Sequence, residues 1–311
     1  MKFPFEIVEN KEFDVVGFGE NAVDYLIVVP EFPKFDTKMR LSNYSQMAGG
    51  QIASAITGMQ RLGAKTAYAG RFGADKEGDF GIESLRVEGV ETRFCKQIDG
   101  ARTRIAFILI DEKTGERTVL WNRDEELAYT IENTPLEPAR LTKILHTDAN
   151  DPHAFLELAR IAKQNGALVS VDVDNVFDGL EKLLPLVDVL ISSNDFPHQL
   201  TGIADEREAL QEIQNRYGCA LVGKTKGVRG GLVYVDGVFL SAKAYEVPGG
   251  CKDTTGAGDA FHAGFLYGLL TGEEVETSLK IANAVAALKC RELGARTDLP
   301  NHAELDLILK R

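Results

Sequence analysis

Positive charge is in short supply. Lys and Arg total 35 against 47 Asp and Glu, a formal charge of −12 with His neutral. That balance argues against a nucleic-acid partner, because nothing offsets repulsion from phosphate. The longest basic cluster is the broken Lys224-Thr225-Lys226…Arg229. Long apolar runs are missing too. Stretches such as Tyr25–Pro30 fall far short of the roughly 20 residues of a membrane helix, so no membrane partner is expected. The opening Met1–Glu12 is mixed and charged, without the apolar region of a signal peptide. Four cysteines, Cys95, Cys219, Cys251 and Cys290, stand at irregular intervals that suit neither a zinc site nor a dense disulfide framework. They read as inert thiols in a reducing compartment, and the expected location is cytoplasmic.

What remains is an ordinary globular composition, 44% hydrophobic over 311 residues, enough for a sizeable α/β core. From about Leu141 onward, short apolar runs alternate with helical patterns. Ile144–Thr147, Leu168–Val173, Val187–Ile191 and Ala220–Gly223 read as strands, and Phe155–Gln164 and Ala209–Arg216 as amphipathic helices. Phe13–Gly17 fits the same sheet, with Ile52–Leu62 as a helix. Such alternation implies a mostly parallel sheet with helices on both faces. Two regions break the rhythm, at about 24–47 and 94–122. There Tyr25–Val29, Met39–Tyr44, Ile105–Ile110 and Arg117–Trp121 follow without helices between them, and 111–115 reads as a hairpin turn. These runs predict a small accessory β-sheet, either a lid over a site or a surface that pairs with another subunit.

The most informative segment is Asp253-Thr254-Thr255-Gly256-Ala257-Gly258-Asp259-Ala260-Phe261, running into an apolar helix. Small residues at 256–258 allow a tight turn whose N–H groups, with the positive end of the helix dipole, form an anion hole. Asp259 beside such a hole suits phosphoryl transfer, with the donors stabilising the migrating group and the carboxylate accepting the proton of the attacking hydroxyl. The bland alternative is a first-turn carboxylate that complements its own helix dipole, worth about 0.3–1 kcal/mol. The string is not a Walker loop, because no Gly-Lys-Ser/Thr follows. Gly17-Phe18-Gly19 also fails the dinucleotide fingerprint, with Ala22 in place of its third glycine.

Asp253–Phe261 resembles the C-terminal signature of the PfkB/ribokinase family of carbohydrate kinases. Gly49-Gly50-Gln51-Ile52-Ala53-Ser54-Ala55, Leu62-Gly63-Ala64 and Gly70-Arg71-Phe72-Gly73-Ala74-Asp75-Lys76-Glu77-Gly78 resemble its other signature. The likeness runs from about Phe13 to Pro300. It implies a single ribokinase-like α/β domain over 1–311 with a small β lid. It makes Asp259 the catalytic base and Gly256, Ala257 and Gly258 the anion hole. Asp24 matches the ligand of the sugar hydroxyls, and Gly49 and Gly50 match a diglycine that lets sugar approach backbone amides. Thr225, Gly227 and Gly230 resemble the nucleotide loop, with Asn283 lining the adenine pocket unless it is simply a polar stripe on an exposed helix face. ATP and Mg2+ are the implied cofactors. Asp253 and Thr255, with carbonyls near 291–297, resemble a monovalent-cation (K+) site.

The chain departs from the family pattern where many relatives carry asparagines, at Gln51 and Ser54. It departs again where they carry Asn-x-x-Glu, here Ser193 and Phe196, although Asn194 and Asp195 lie alongside. Together with Lys38-x-x-x-x-Asn43-Tyr44 and Val285–Arg291, these changes resemble the ketohexokinase and sulfofructose kinase side of the family. Lys38 and Arg123 then become candidates to bind an anionic or highly hydroxylated sugar end, or else are solvated lid charges. Asn150 stands where sulfofructose kinase has an arginine, which counts against a sulfonate. The expected activity is ATP-dependent phosphorylation of a primary hydroxyl of a ketose or related sugar. The alternatives are a nucleoside or sugar-phosphate kinase, with Phe35, Tyr44, Phe94 and Phe107 around a base, and a catalytically silent sensor. A homodimer paired through the lid is the expected assembly.

Overall fold

The run Phe13–Phe18 is buried along nearly its whole length, and so are Leu168–Val173 and Val189–Ser192. Strands apolar on both faces belong inside a parallel sheet covered on both sides, and that is where they lie. In the computed structural model, which describes residues 1–114, 116–193 and 195–310, eight strands form the large sheet. Their spatial order is Val238–Ala242, Gly231–Val235, Leu221–Thr225, Val189–Ser192, Leu168–Val173, Thr142–Thr147, Phe13–Phe18 and Thr66–Ala69. Pairing is parallel from Thr66–Ala69 through Leu221–Thr225 and antiparallel over the last two strands. One face is covered by a cluster containing Phe155, Leu158, Leu210 and Ile213. The other face packs Ile52, Ile56, Phe261, Phe265 and Leu279, from helices Gln51–Arg61, Ala257–Leu270 and Val275–Lys289. This is the ribokinase-like α/β architecture. Among the described residues no helix is long and apolar enough to cross a membrane.

A separate four-stranded sheet runs Asn43–Gly49, Ala22–Val29, Ile105–Asp111, Arg117–Asn122. Its alternation divides two faces. Leu26, Ala106 and Ile108 are buried toward the body, while Tyr25, Tyr44 and Phe107 stack on the outer side. The strand expected at Met39–Tyr44 instead begins at Asn43, because 31–38 and 40–44 are exposed and carry scattered charges with no burial alternation. Nor does the stretch from Phe94 join this sheet. The Phe94 ring packs edge-on against Phe13 at 6.0 Å, and Lys96–Ile98 pairs with Arg71–Gly73 in its own two-stranded sheet. The small sheet therefore occupies 22–49 and 105–122. Its hairpin turn is set by Asp111, whose Oδ1 accepts the Lys113 and Thr114 N–H groups at 2.9 Å, while Gly115 lies outside the described residues.

Candidate active site

Where parallel strands end, acidic side chains gather. Glu20 follows Phe13–Phe18, Asp148 follows Thr142–Thr147, and Asp172 and Asp174 sit at the end of Leu168–Val173. With the inner face of the small sheet and the loop before helix Ala257–Leu270, several of these acids line a cleft of about 310 Å3. The carboxyl ends of parallel strands are the usual place for a ligand in such sheets. Of the residues singled out in the sequence, Asp24, Gly50, Gln51, Thr255, Gly256, Gly258 and Asp259 face this cleft together.

Each is placed for a local reason. Asp24 has an even position in Ala22–Val29, which turns it inward, and it pairs across the sheet with Met47 and Ala106. Gly49 lies so close to the Asp24 carboxyl that any side chain there would collide with it. Gly256 is the N-cap of helix Ala257–Leu270 with φ +79°, and a Cβ there would meet the Ala295 carbonyl oxygen at 2.5 Å. Asp259 falls in the first helical turn, where backbone N–H groups lack intrahelical acceptors. One of the three expected anion-hole amides is already used, since Ala257 N–H donates to the Thr254 carbonyl at 3.1 Å. Gly256 and Gly258 remain at the cleft.

The electrostatics bear on the two readings of Asp259. Burial, with Asp172 and Glu20 nearby, pushes its carboxyl well above the usual range. A carboxylate present only to complement a helix dipole is stabilised in its charged form and would shift downward. Burial likewise pushes Asp24 up to about 6 against the pull of Arg296 and Arg104, and Glu20 up to about 7 against Arg104. Asp172 goes the other way. Burial is the largest single influence and raises it, but His262 Nε2 at 3.1 Å and the Gln51 side chain are the leading groups that together hold it low. Behind it His146 is pushed down to about 3 by burial and is neutral, with Nδ1 3.1 Å from Ser170 Oγ.

On the far side of the same loop lies a second, more apolar cleft of about 540 Å3. Thr225, Gly227, Gly230 and Asn283 all line it, joined by Tyr245, Val247, Thr254, Ala257, Gly258 and Phe261. Asn283 is buried, and its amide donates to the Ala242 and Leu279 carbonyls at 3.1 and 2.9 Å, so it is not part of an exposed stripe. Gly258 lines both clefts.

Other expected residues lie apart. Lys38 is on the exposed loop beside Glu31, Lys34 and Lys113. Arg123 is engaged with Asp151 at 2.6 Å, in a narrow cavity that shares Glu20 and Arg104 with the main cleft. Asn194 lies outside the described residues. Phe196 is completely buried in the core, and Ser193 lines the acidic cleft. None of the four aromatics expected around a base lines that cleft: Tyr44 and Phe107 stack on the outer face of the small sheet, Phe94 is in the core, and Phe35 is fully exposed. Trp121 does line it, with the Arg104 guanidinium 4.6 Å over its ring. Arg104, paired with Glu20 at 2.9 Å, and Arg296 escaped the sequence reading because an isolated arginine in a strand or loop reads as surface charge.

Comparison with known proteins bears on the fold and the family. The chain is 25% identical to a nucleoside kinase of Methanothermobacter thermautotrophicus, over 95% of each protein. It is 28% identical to a ribokinase of Haemophilus influenzae, over 92% of this chain and 95% of that one. The structure of Arabidopsis thaliana ribokinase complexed with ribose and ATP superposes with a TM-score of 0.83, at 22% identity, covering 96% and 99% of the two chains. Residues 12–302 match the pattern of the pfkB family carbohydrate kinases, and the chain belongs to that family of kinases.

Proposed function

We propose that this protein transfers the γ-phosphoryl group of ATP to a primary hydroxyl of a sugar, a ketose or related polyol. One observation carries the reading. Two clefts of different character meet at Gly258, and Asp259 stands on the polar side of the junction. ATP occupies the apolar cleft beside Thr225, Gly227, Gly230 and Asn283, with its phosphates against the start of helix Ala257–Leu270. The sugar occupies the acidic cleft with its hydroxyls on Asp24 and its neighbours. Asp259 takes the hydroxyl proton, and its raised proton affinity brings it closer to the range where a general base works well. Backbone donors of the Gly256–Gly258 turn stabilise the transferring group. Magnesium arrives on the nucleotide's phosphates.

The charge of the acceptor cleft bears on substrate class. Glu20, Asp24, Asp172, Asp174 and Asp259 outnumber Arg104 there, which favours a neutral polyol over sugar acids, sulfosugars or sugar phosphates. Trp121, Val119 and Ile108 form an apolar wall in the same cleft, which favours a nucleoside as the second reading. The exposed Tyr44, Phe107 and Leu120 on the outer face of the small sheet support a homodimer closed through that face. The experiment is an ATP-dependent assay over ketoses, aldoses, sugar acids, sugar phosphates and nucleosides with Asp259→Asn as control. One preferred acceptor, with kcat reduced by about 10²–10⁴ in the variant and ATP affinity nearly unchanged, is the expected result. A variant turning over at the normal rate removes Asp259 from the mechanism.

A further inference from the structure

The resemblance to pfkB kinases implies a monovalent cation held by Asp253, Thr255 and carbonyls near 291–297, but the Asp253 carboxylate and the Asp253 and Glu292 carbonyls in that place already have donors. Asp253 Oδ1 accepts the Thr255 N–H at 2.8 Å, and Oδ2 accepts the Gly294 N–H at 2.8 Å. Arg117, reaching from the small sheet, lies 3.5 Å from Oδ1 and donates to Thr254 Oγ1 at 2.9 Å. The main-chain carbonyls of Asp253 and Glu292 accept from a single donor, Lys289 Nζ, at 3.2 and 3.4 Å. A K+ ion there would stand against the Lys289 ammonium and the Arg117 guanidinium, so these residues do not fit it; they fit the ammonium group that is there.

Lys289 ends helix Val275–Lys289 and has 0% of its surface exposed. Lysine is almost never fully buried without partners, because withdrawing its charge from water is costly. Burial at this point therefore needs a compensating interaction, and two backbone carbonyls provide it. One belongs to the first residue of the Asp253–Gly258 loop. The other belongs to the turn that leads to Gly294 and Ala295, against which Gly256 is packed. A compact cation bridging both turns holds the loop in register with the cleft.

We propose that Lys289 is a built-in cation: its ammonium ties the 253 and 292 carbonyls together, positions the Asp253–Gly258 loop, and makes phosphoryl transfer independent of added K+. The inference rests on the reading of that loop as the phosphoryl-binding turn. Lys289 touches neither substrate and acts as a positioning residue through the backbone.

The test uses the full chain in tetramethylammonium buffer, with K+ titrated in. For the wild-type protein, rate and melting temperature are expected to stay flat, whereas an ion bound only by the folded state would raise the melting temperature. A K+ requirement of about tenfold or more overturns the proposal. Lys289→Ala, which vacates the stem and its charge, is expected to lose about tenfold or more in kcat with little change in ATP KM. K+ or n-propylammonium should restore it. A folded Lys289→Ala protein that neither ion restores, or one that is fully active without them, also overturns it. Lys289→Met keeps the stem volume without the charge. It decides the matter if the alanine variant does not fold: loss of kcat with an intact melt supports the role, and wild-type kcat sinks it. If the wild-type protein phosphorylates no acceptor, the functional reading fails, and the melts still decide Lys289. K+ should then raise the melting temperature of the alanine variant only, and a rise in the wild type overturns the inference.

Discussion

The guanidinium of Arg296 donates to the carbonyl oxygen of Gly49 across 247 positions of sequence. Its other nitrogens reach Ser54 Oγ at 3.4 Å and Ser84 Oγ at 3.1 Å, so one buried side chain anchors the diglycine turn to helix Lys76–Arg86 and to the segment after Lys289. Burial lowers its pKa to about 10, which leaves it charged at neutral pH, and it acts on Asp24 and Asp259 through space. Removing one member of a buried charged group strands the rest, so Arg296→Met should cost about 3 kcal/mol of stability. It should also raise the sugar KM by loosening Gly49 and Gly50. Urea unfolding and steady-state kinetics check both, and unchanged values in the two experiments would contradict the anchoring role.

Gly258 presents a different case. Nothing lies within 4 Å of a Cβ built there, and its φ is not in the left-handed region, so alanine is structurally tolerated. In a helical turn alanine is favoured over glycine by about 1 kcal/mol. Gly258→Ala should therefore melt no lower than the wild-type protein. Yet Gly258 borders both clefts, and in the proposed reaction a methyl group there would stand in the path of the phosphoryl group. Turnover should fall by about 100-fold, the scale of a misplaced reacting group. A simultaneous loss of stability and activity would mean that the glycine is needed for folding instead.

The parallel core was legible because interior strands leave continuous apolar runs. Leu168–Val173 has the same ends in sequence and structure. The Asp253–Phe261 loop was legible because few arrangements of glycine and aspartate suit a helix start so closely. The residues that escaped notice are buried charges. Lys289 ends an alanine-rich helix and Arg296 sits in a loop, where either would ordinarily face water. Their burial depends on carbonyls and hydroxyls from Gly49, Ser54, Ser84 and Asp253, distant positions that no local pattern reveals. Lys38 is the opposite case: a charge near a lid reads as either a ligand or a solvated residue, and it lies on an exposed loop away from the cleft.

The outer face of the small sheet yields a third prediction. Leu120 is 55% exposed and pairs across the strands with Phe107, which stacks on Tyr25. A charge at that point would desolvate badly inside an apolar interface. Leu120→Arg should convert a dimer to a monomer in light scattering while leaving the melting transition of the body intact. A wild-type protein already monomeric at micromolar concentration would remove the dimer reading.

The raised carboxyls make stability and substrate binding respond to pH in opposite directions. Asp24 is held at about 6, above its ordinary value of 3.8, and Glu20 at about 7, above 4.5. A folded-state pKa above the unfolded one means that the native protein retains protons the unfolded chain releases. The stabilisation is therefore present at low pH and lost as pH rises from about 4 to about 7. Asp172 and Asp253, both held low, contribute the reverse slope at lower pH, so the share of Asp24 is read by difference against Asp24→Asn. On the proposed function, sugar binding needs the ionised Asp24, whose two oxygens would accept hydrogen bonds from hydroxyls. The sugar KM should then fall as pH rises through about 6, over the range in which Asp24 is destabilising the fold. Asp24→Asn should flatten the KM profile between pH 5 and 7, a window set by the value of about 6 for Asp24, and should lessen the slope of the stability profile there while leaving the share of Glu20. If the KM profile keeps its shape in that variant, the titrating group is Glu20 or Asp259, and Asp24 is not the hydroxyl ligand.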